Sequence, residues 1–270
     1  MGISNLVLSF YKKLPFNVYT NSLLAIQNIK NNNLKNTYPF LNKYILNTKK
    51  IIDVGCGGGW LANTISYHYN KNVFGIDFNS KAIKHAKKIS KLLKNQNQFY
   101  IKDIFSHKIK EKFDLICSIG VLHHTKNCMK ALDICCKFGK KGSIIVIGLY
   151  HKEGRKAFLE KFNKNKYSEK KLFKEYINMH TLTDTKHQIS WFRDQVLHAH
   201  ETQHRLQEVL DVFKKNNYRF MGTSINRFSK KDSIGTIKKK EKKLYDYGLK
   251  KIKKNIYYPG FFIVVGKKIR

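Results

Sequence analysis

From Lys50 onward, short apolar runs alternate with amphipathic segments, and this rhythm constrains the fold of the 270-residue chain more than any other feature. Residues 51–54, 73–76, 98–101, 113–118 and 143–149 have the length and apolar density of buried strands. Between them, residues 60–69, 81–93 and 127–138 repeat their apolar positions every three or four residues, as a helix with one buried face requires. Strand and helix in alternation predict an α/β fold around a mostly parallel sheet, because parallel neighbours need a crossover.

The flanks keep a different rhythm. Leu23, Ile26 and Ile29 fall at helical steps, asparagines break the pattern at 31–33, and a short helical stretch follows at 38–46, so residues 1–48 read as a helical cap and 49–150 as the central sheet. Residues 151–201 carry charged helical pieces and several histidines and read as an insertion over the functional edge of the sheet. Residues 202–270 return to the sheet: a helix at 202–215, a strand at 218–225, a lysine-rich helical stretch at 230–254 and a last strand at 260–265. The length suits one domain built from these parts.

A formal charge of +35 invites a polyanion as partner. Nearly all of it is lysine, however, and only Arg155, Arg193, Arg205, Arg219, Arg227 and Arg270 offer the forked geometry that reads phosphates and guanine edges. Nucleic acid is therefore an alternative partner and not the favoured one. The five cysteines, Cys56, Cys117, Cys128, Cys135 and Cys136, are odd in number and have no paired CxxC spacing, so they read as reduced and structural, in a cytoplasmic setting. No apolar run reaches the roughly 18 residues of a membrane span, and the first residues lack the order of a secretory signal.

The strongest local signal is Ile51-Ile52-Asp53-Val54-Gly55-Cys56-Gly57-Gly58-Gly59-Trp60, an apolar strand that ends in a glycine-rich turn and opens a helix. Glycines remove the Cβ atoms that would keep a ligand off the backbone. Asp77 ends the next strand, where a carboxylate can accept from two ribose hydroxyls. A dinucleotide-binding dehydrogenase spaces its acidic residue similarly, but its GxGxxG pattern fails here at Trp60. Asp53, two residues before the first glycine, suits a ligand with an ammonium group better than one with a pyrophosphate.

The Asp53 to Gly57 turn, the acidic end of the second strand, and Phe113-Asp114-Leu115-Ile116-Cys117-Ser118 running into Ile119-Gly120-Val121-Leu122-His123-His124 resemble the class I S-adenosylmethionine-dependent methyltransferases, nearest those acting on quinones and other small molecules. The resemblance covers roughly residues 48–150. It implies a Rossmann-like sheet of seven strands with an antiparallel last strand, and S-adenosylmethionine as cofactor. It also implies roles by position: Gly55, Cys56, Gly57 and Gly59 around the methionine part beside Asp53, Asp77 with Phe78 at the ribose, Asp103 and Ile104 at the adenine, and Ser118, Ile119 and the following residues along the methyl donor. One of His123 and His124 would pack near the cofactor carboxylate or the acceptor, and the other would cap the next helix. The Asn/Asp-Pro-Pro-Tyr/Phe signature of DNA amino-methyltransferases is missing: Ser118-Ile119-Gly120-Val121 stands in its place.

His200-Glu201-Thr202-Gln203-His204 matches HExxH, which on a helix would put two histidines on one face for zinc. The longer HExxHxxGxxH form fails at Gln207 and Leu210, and chance is a strong competitor among eleven histidines, so no metal site is assigned. The better reading joins this segment to the preceding Trp191-Phe192-Arg193-Asp194-Gln195. Asp194, His198, His200, Glu201 and His204, with His124, then form the candidate catalytic set, a histidine serving as base and a carboxylate orienting it. The expected activity is methyl transfer to an oxygen or nitrogen of a small or medium-sized metabolite. The alternatives are an RNA methyltransferase docking through the basic surface and a cofactor-binding module without catalysis.

Overall fold

The computed structural model describes residues 2–106 and 109–270. Seven strands form one sheet: β1 (Ile51–Val54), β2 (Val73–Asp77), β3 (Gln98–Ile101), β4 (Phe113–Ile119), β5 (Gly139–Tyr150), β6 (Tyr218–Thr223) and β7 (Phe261–Lys268). Their order is β3-β2-β1-β4-β5-β7-β6. The first five run parallel, Ile51 lying opposite Val73 on one side and Leu115 on the other. β7 enters antiparallel between β5 and β6. This is the Rossmann-like sheet with a reversed last strand that the sequence resemblance implies.

Thirteen helices cover the described chain: α1 (Ile3–Lys13), α2 (Ser22–Asn31), α3 (Leu34–Thr37), α4 (Pro39–Leu46), α5 (Trp60–Tyr69), α6 (Ser80–Leu92), α7 (Cys128–Lys137), α8 (Lys152–Lys161), α9 (Glu169–Ile177), α10 (Thr185–Gln195), α11 (Leu206–Lys215), α12 (Ile234–Glu241) and α13 (Leu244–Lys253). Side chains alternate across a strand, so each central strand feeds two cores. Ile51, Leu115, Cys117 and Val146 pack with Leu41, Ile45, Ile65 and Ile83 of α4, α5 and α6. Ile52, Val54, Ile116 and Ile145 pack with Leu132, Cys136, Val209 and Phe213 of α7 and α11. Burial on both faces is why these strands read as unbroken apolar runs. All five cysteines are free and buried. Among the described residues, no helix is long and apolar enough to cross a membrane.

The strand order reverses between β1 and β4, which leaves a crevice at the carboxyl ends of those strands. Two additions close over it. The insertion after β5 folds α8, α9 and α10 around a core of its own, including Phe158, Phe162, Leu172, Tyr176 and Phe192. From the other end of the chain, α1 lies across the same opening. Its Tyr11 carbonyl accepts from Asn79 Nδ2 (3.1 Å), and its Phe10 carbonyl accepts from Arg193 of α10 (3.3 Å).

The helix expected over residues 202–215 begins only at Leu206. Residues 200–203 take no regular structure, and His204 forms an isolated parallel bridge with His151. The His204 amide donates to the Tyr150 carbonyl (2.9 Å), its carbonyl accepts from Lys152 (3.0 Å), and the Thr202 amide donates to His123 (2.8 Å). A helix here would break all three bonds, and His200 and His204 therefore share no helix face.

Candidate active site

The turn after β1 uses left-handed backbone where only glycine is comfortable. Gly55 has φ +73°, and a Cβ there would lie 2.2 Å from Val121, so its bareness lets the loop after β4 close against β1. Gly57 has φ +51°, and a Cβ there would meet nothing within 4 Å: it faces open space. The Gly57 amide donates to Asp77 Oδ2 (3.0 Å) and the Asn79 amide to Oδ1 (2.8 Å), which fixes the carboxylate at the rim of that space. Burial raises the Asp77 pKa above the usual carboxylate value. Asp53, just before the turn, is 4 % exposed, and its Oδ2 has no hydrogen-bond partner. Burial, and then the nearby Asp77, push its pKa up to about 7.

Two cavities meet at this turn. The first, with about 950 Å³ of empty space including its open mouth, is lined by Gly55, Gly57, Asp77, Phe78, Asp103, Ile104, Val121 and His124, and roofed by Val7, Tyr11 and Phe16 of the N-terminal segment. The second, about 1490 Å³ on the same measure, runs past Asp53, Cys56, Ile119 and Tyr150 toward Trp191 and Tyr257. Phe16, Gly55, Gly57, Gly120, Val121 and Asp194 line both. Among these shared residues Asp194 alone carries an ionisable side chain.

Asp194 sits in a network that spans three parts of the chain. Its Oδ1 accepts from the Tyr11 hydroxyl (2.6 Å) and its Oδ2 from Gln195 Nε2 (2.8 Å). His198 Nδ1 accepts from the His200 amide (2.9 Å), so its proton lies on Nε2, which donates to the Tyr11 oxygen (3.0 Å). His124 Nδ1 donates to the His200 carbonyl (2.9 Å), leaving Nε2 bare to accept from His123 Nε2 (3.1 Å). His123 Nδ1 is then left buried without a partner. Burial holds His123, His124 and His198 below the ordinary histidine pKa, and it raises Asp194.

His124, Asp194 and His198 offer ligand atoms within 4.8 Å of one another, close enough for a metal ion. The hydrogen bonds argue against that use. A ligating nitrogen must be bare, but the backbone donor on His198 Nδ1 keeps the proton on Nε2, which leaves two ligands.

Several expected site residues lie elsewhere. Ser118 is fully buried and donates to the Val54 carbonyl (3.0 Å), tying β4 to β1 and lining neither cavity. Gly59 caps α5, and its bare face is set against Ala86 of α6, so it serves helix packing. His123 packs behind Tyr150, its ring centre 4.2 Å away, and lines neither cavity. Glu201 binds Arg155 through both oxygens (3.0 and 2.7 Å). His204 is held by Glu208 and Thr202 (both 2.8 Å), and His200 contributes its backbone and reaches the Thr125 carbonyl (3.2 Å). Glu201, His198, His200 and His204 thus brace the site without lining either cavity.

A family model described as a methyltransferase domain matches residues 45–210. The chain belongs to that family. Among curated relatives, the chain is 30% identical over 113 residues to the mitochondrial ubiquinone biosynthesis O-methyltransferase of Dictyostelium discoideum, covering 38% of this chain and 35% of that one. It is 29% identical over 129 residues to the ubiquinone biosynthesis O-methyltransferase of Pelagibacter ubique, covering 48% and 53%. The aligned part is thus about a third to a half of the length of these relatives. The magnesium protoporphyrin IX methyltransferase of Synechocystis, solved with bound SAM, shares the fold with a TM-score of 0.55 at 11% identity, over 99% of this chain and 98% of that one. The plantazolicin methyltransferase BpumL, solved with SAH, gives 0.55 at 17% identity over 99% and 96%.

Sequence reasoning missed the part of the methyltransferase site supplied from a distance. Tyr11 and Phe16 come from the N-terminal segment, and His187, Gln195 and Tyr257 from the insertion and the segment before β7. Gln195 ends the 191–195 segment already singled out beside Asp194, while Tyr11, Phe16, His187 and Tyr257 lie in no motif.

Proposed function

We propose that the protein transfers a methyl group from S-adenosylmethionine to an oxygen or nitrogen nucleophile of a small or medium-sized metabolite. The observation that carries this reading is the pairing of Asp53, whose buried oxygen has no partner, with the open face of Gly57 and the fixed carboxylate of Asp77. Those groups suit a ligand with an ammonium at one end and a ribose at the other: Asp53 would take the ammonium, Asp77 the ribose hydroxyls, and Phe78, Asp103 and Ile104 the base. Bound there, S-adenosylmethionine would supply an electrophilic methyl on a positively charged sulfur.

The residues of the chain do the rest by placement and exclusion of water. Val7, Tyr11 and Phe16 cover the donor cavity from solvent. Asp194, common to both cavities, is positioned to accept the proton that the acceptor loses, and Tyr11 and Gln195 hold its two oxygens in place. The same reading puts the protein in a reducing compartment such as the cytoplasm, which its five free, buried thiols support.

Calorimetric titration with S-adenosylmethionine and, separately, NADH tests the reading. Micromolar binding of the first, lost in Asp77→Ala, is expected; preference for NADH or no binding would overturn it.

A further inference from the structure

The surface and the acceptor cavity of this protein have opposite electrical characters. Lys and Arg make up 53 of the 270 residues, yet none of the described residues lining the second cavity is Lys or Arg. Its ionisable groups are Asp53, Asp194, tyrosines, His187 and Cys56, whose thiol burial keeps protonated. His187 is uncharged at neutral pH, since burial lowers its pKa to about 4. Arg155 stacks on the Tyr150 ring, 3.8 Å from its centre, and is paired with Glu201. The groups around Asp194 are neutral as well: the Tyr11 hydroxyl, the Gln195 amide, and His124 and His198, both held below the ordinary histidine value by burial. Asp194 is therefore a buried carboxylate held by neutral hydrogen-bond donors, and the guanidinium that acts on it, Arg155, is itself paired with Glu201. Aromatic rings make much of the wall, among them Tyr19, Tyr38, Trp60, Trp191, Tyr257 and Phe261, and aromatic faces attract cations.

On the reading of the protein as a methyltransferase, we infer that the acceptor nucleophile is an amine nitrogen carried on an aromatic or similarly apolar framework, and that anionic acceptors are excluded. The charge balance of the step favours this choice. The acceptor reacts as the neutral amine, its ammonium form first losing one proton to water; the nitrogen lone pair then forms the new C–N bond as the C–S bond breaks with its electron pair kept by sulfur, so the positive charge passes from sulfur to nitrogen. An N–H proton is then released to Asp194. A carboxylate fixed at the junction of the two cavities stabilises charge that develops on the acceptor side. A phenol that gave its proton to Asp194 would, in contrast, leave a buried phenolate in a cavity whose described lining holds no Lys or Arg, and burial opposes that ionisation.

Both tryptophans of the chain, Trp60 and Trp191, line this cavity, so their fluorescence reports its occupancy. The test is titration of the full chain, saturated with SAH, with four probes of one framework: phenylethylamine, phenylethanol, ethylphenol and phenylacetate. Phenylethylamine should bind roughly tenfold more tightly than phenylethanol, phenylacetate should not bind, and Asp194→Asn should bring amine and alcohol to parity. Should that variant fail to fold, Trp191→Leu should weaken the amine several-fold more than the alcohol. Parity of amine and alcohol in the unaltered protein, binding of phenylacetate, no binding of phenylethylamine, or tighter binding of ethylphenol than of phenylethylamine would each overturn the inference. Failure of SAH itself to bind, read by calorimetry beforehand, would instead overturn the donor reading and this inference with it.

Discussion

Asp53 and Asp77 stand one strand apart at the same turn and differ in what satisfies them. Asp77 accepts from two backbone amides, which aim it at the donor cavity. Replacing it with Asn should weaken S-adenosylmethionine binding by roughly 10- to 100-fold, the scale of losing charge-assisted hydrogen bonds, with unfolding temperature little changed. Asp53 has an oxygen with no partner, and its pKa moves from 3.8 in the open chain to about 7 in the fold. Between those values the folded protein binds a proton that the unfolded chain does not, so this group costs stability as pH rises from about 4 to about 7, with no further cost above. The ceiling of that cost is about 4 kcal/mol, from roughly 1.4 kcal/mol per pKa unit. A donor ammonium favours the ionised form. S-adenosylmethionine affinity should therefore rise as pH goes through about 7, and calorimetry on Asp53→Asn should show that dependence flattened.

At the scale of elements, the site depends on two additions that the central sheet does not supply. Helix α1 reaches the insertion through the Tyr11 hydroxyl, which donates to Asp194 and accepts from His198. Tyr11→Phe removes both bonds while keeping the ring. Faster hydrogen exchange over α1 and a fall in turnover of up to about 30-fold are expected, since two net bonds of about 1 kcal/mol each are lost. The irregular segment before α11 is anchored by Arg155, which is fully buried, bonds Glu201 through two nitrogens and also donates to the Gln195 and Pro259 carbonyls. Glu201→Gln leaves that guanidinium without its counter-charge. Removing one partner of a buried pair costs about 3–5 kcal/mol, so thermal unfolding should fall by roughly 10 °C. A zinc-protease reading of the same residues would instead predict metal-dependent cleavage, and chelation should leave this protein's stability unchanged.

Over the molecule as a whole, the described histidines are buried or half-buried and most of the described lysines are exposed. His123, His124, His180, His187 and His198 are all held below the ordinary value of 6.5 by burial. A lowered histidine gives stability that is complete above 6.5 and lost as pH falls toward its folded value, about 4 for His180 and His187. Asp53, Asp77 and Asp194 act in the opposite direction but are fewer, so the urea midpoint should be lower at pH 5.5 than at pH 7.5. The +35 charge predicts association with RNA that fades steeply as salt is raised. Because the acceptor cavity itself lacks Lys and Arg among the described residues, that association should bring no methyl incorporation into the RNA.

The sheet was legible in the sequence because its signals are local: apolar runs set the strands, the glycine turn set the first crossover, and helix 60–69 matches α5 at both ends. Asp53, Gly55 and Gly57 of the turn and Asp77 at the end of β2, the residues proposed to hold the donor, stand out in the sequence for the same reason, and all four line the cavities. The histidine segment was not. Its HExxH spacing invites a helix, but its backbone groups bond instead to Tyr150, Lys152 and His123, residues distant in sequence. Tyr11 was hidden for a related reason, since its partners lie 183 and 187 residues away. Sequence alone determined where the chain could hold a donor, because that depends on neighbours along one strand and turn. Only the tertiary structure decided which groups face the acceptor, because cap, insertion and sheet supply them jointly and no local pattern records which side chains three separate segments bring together.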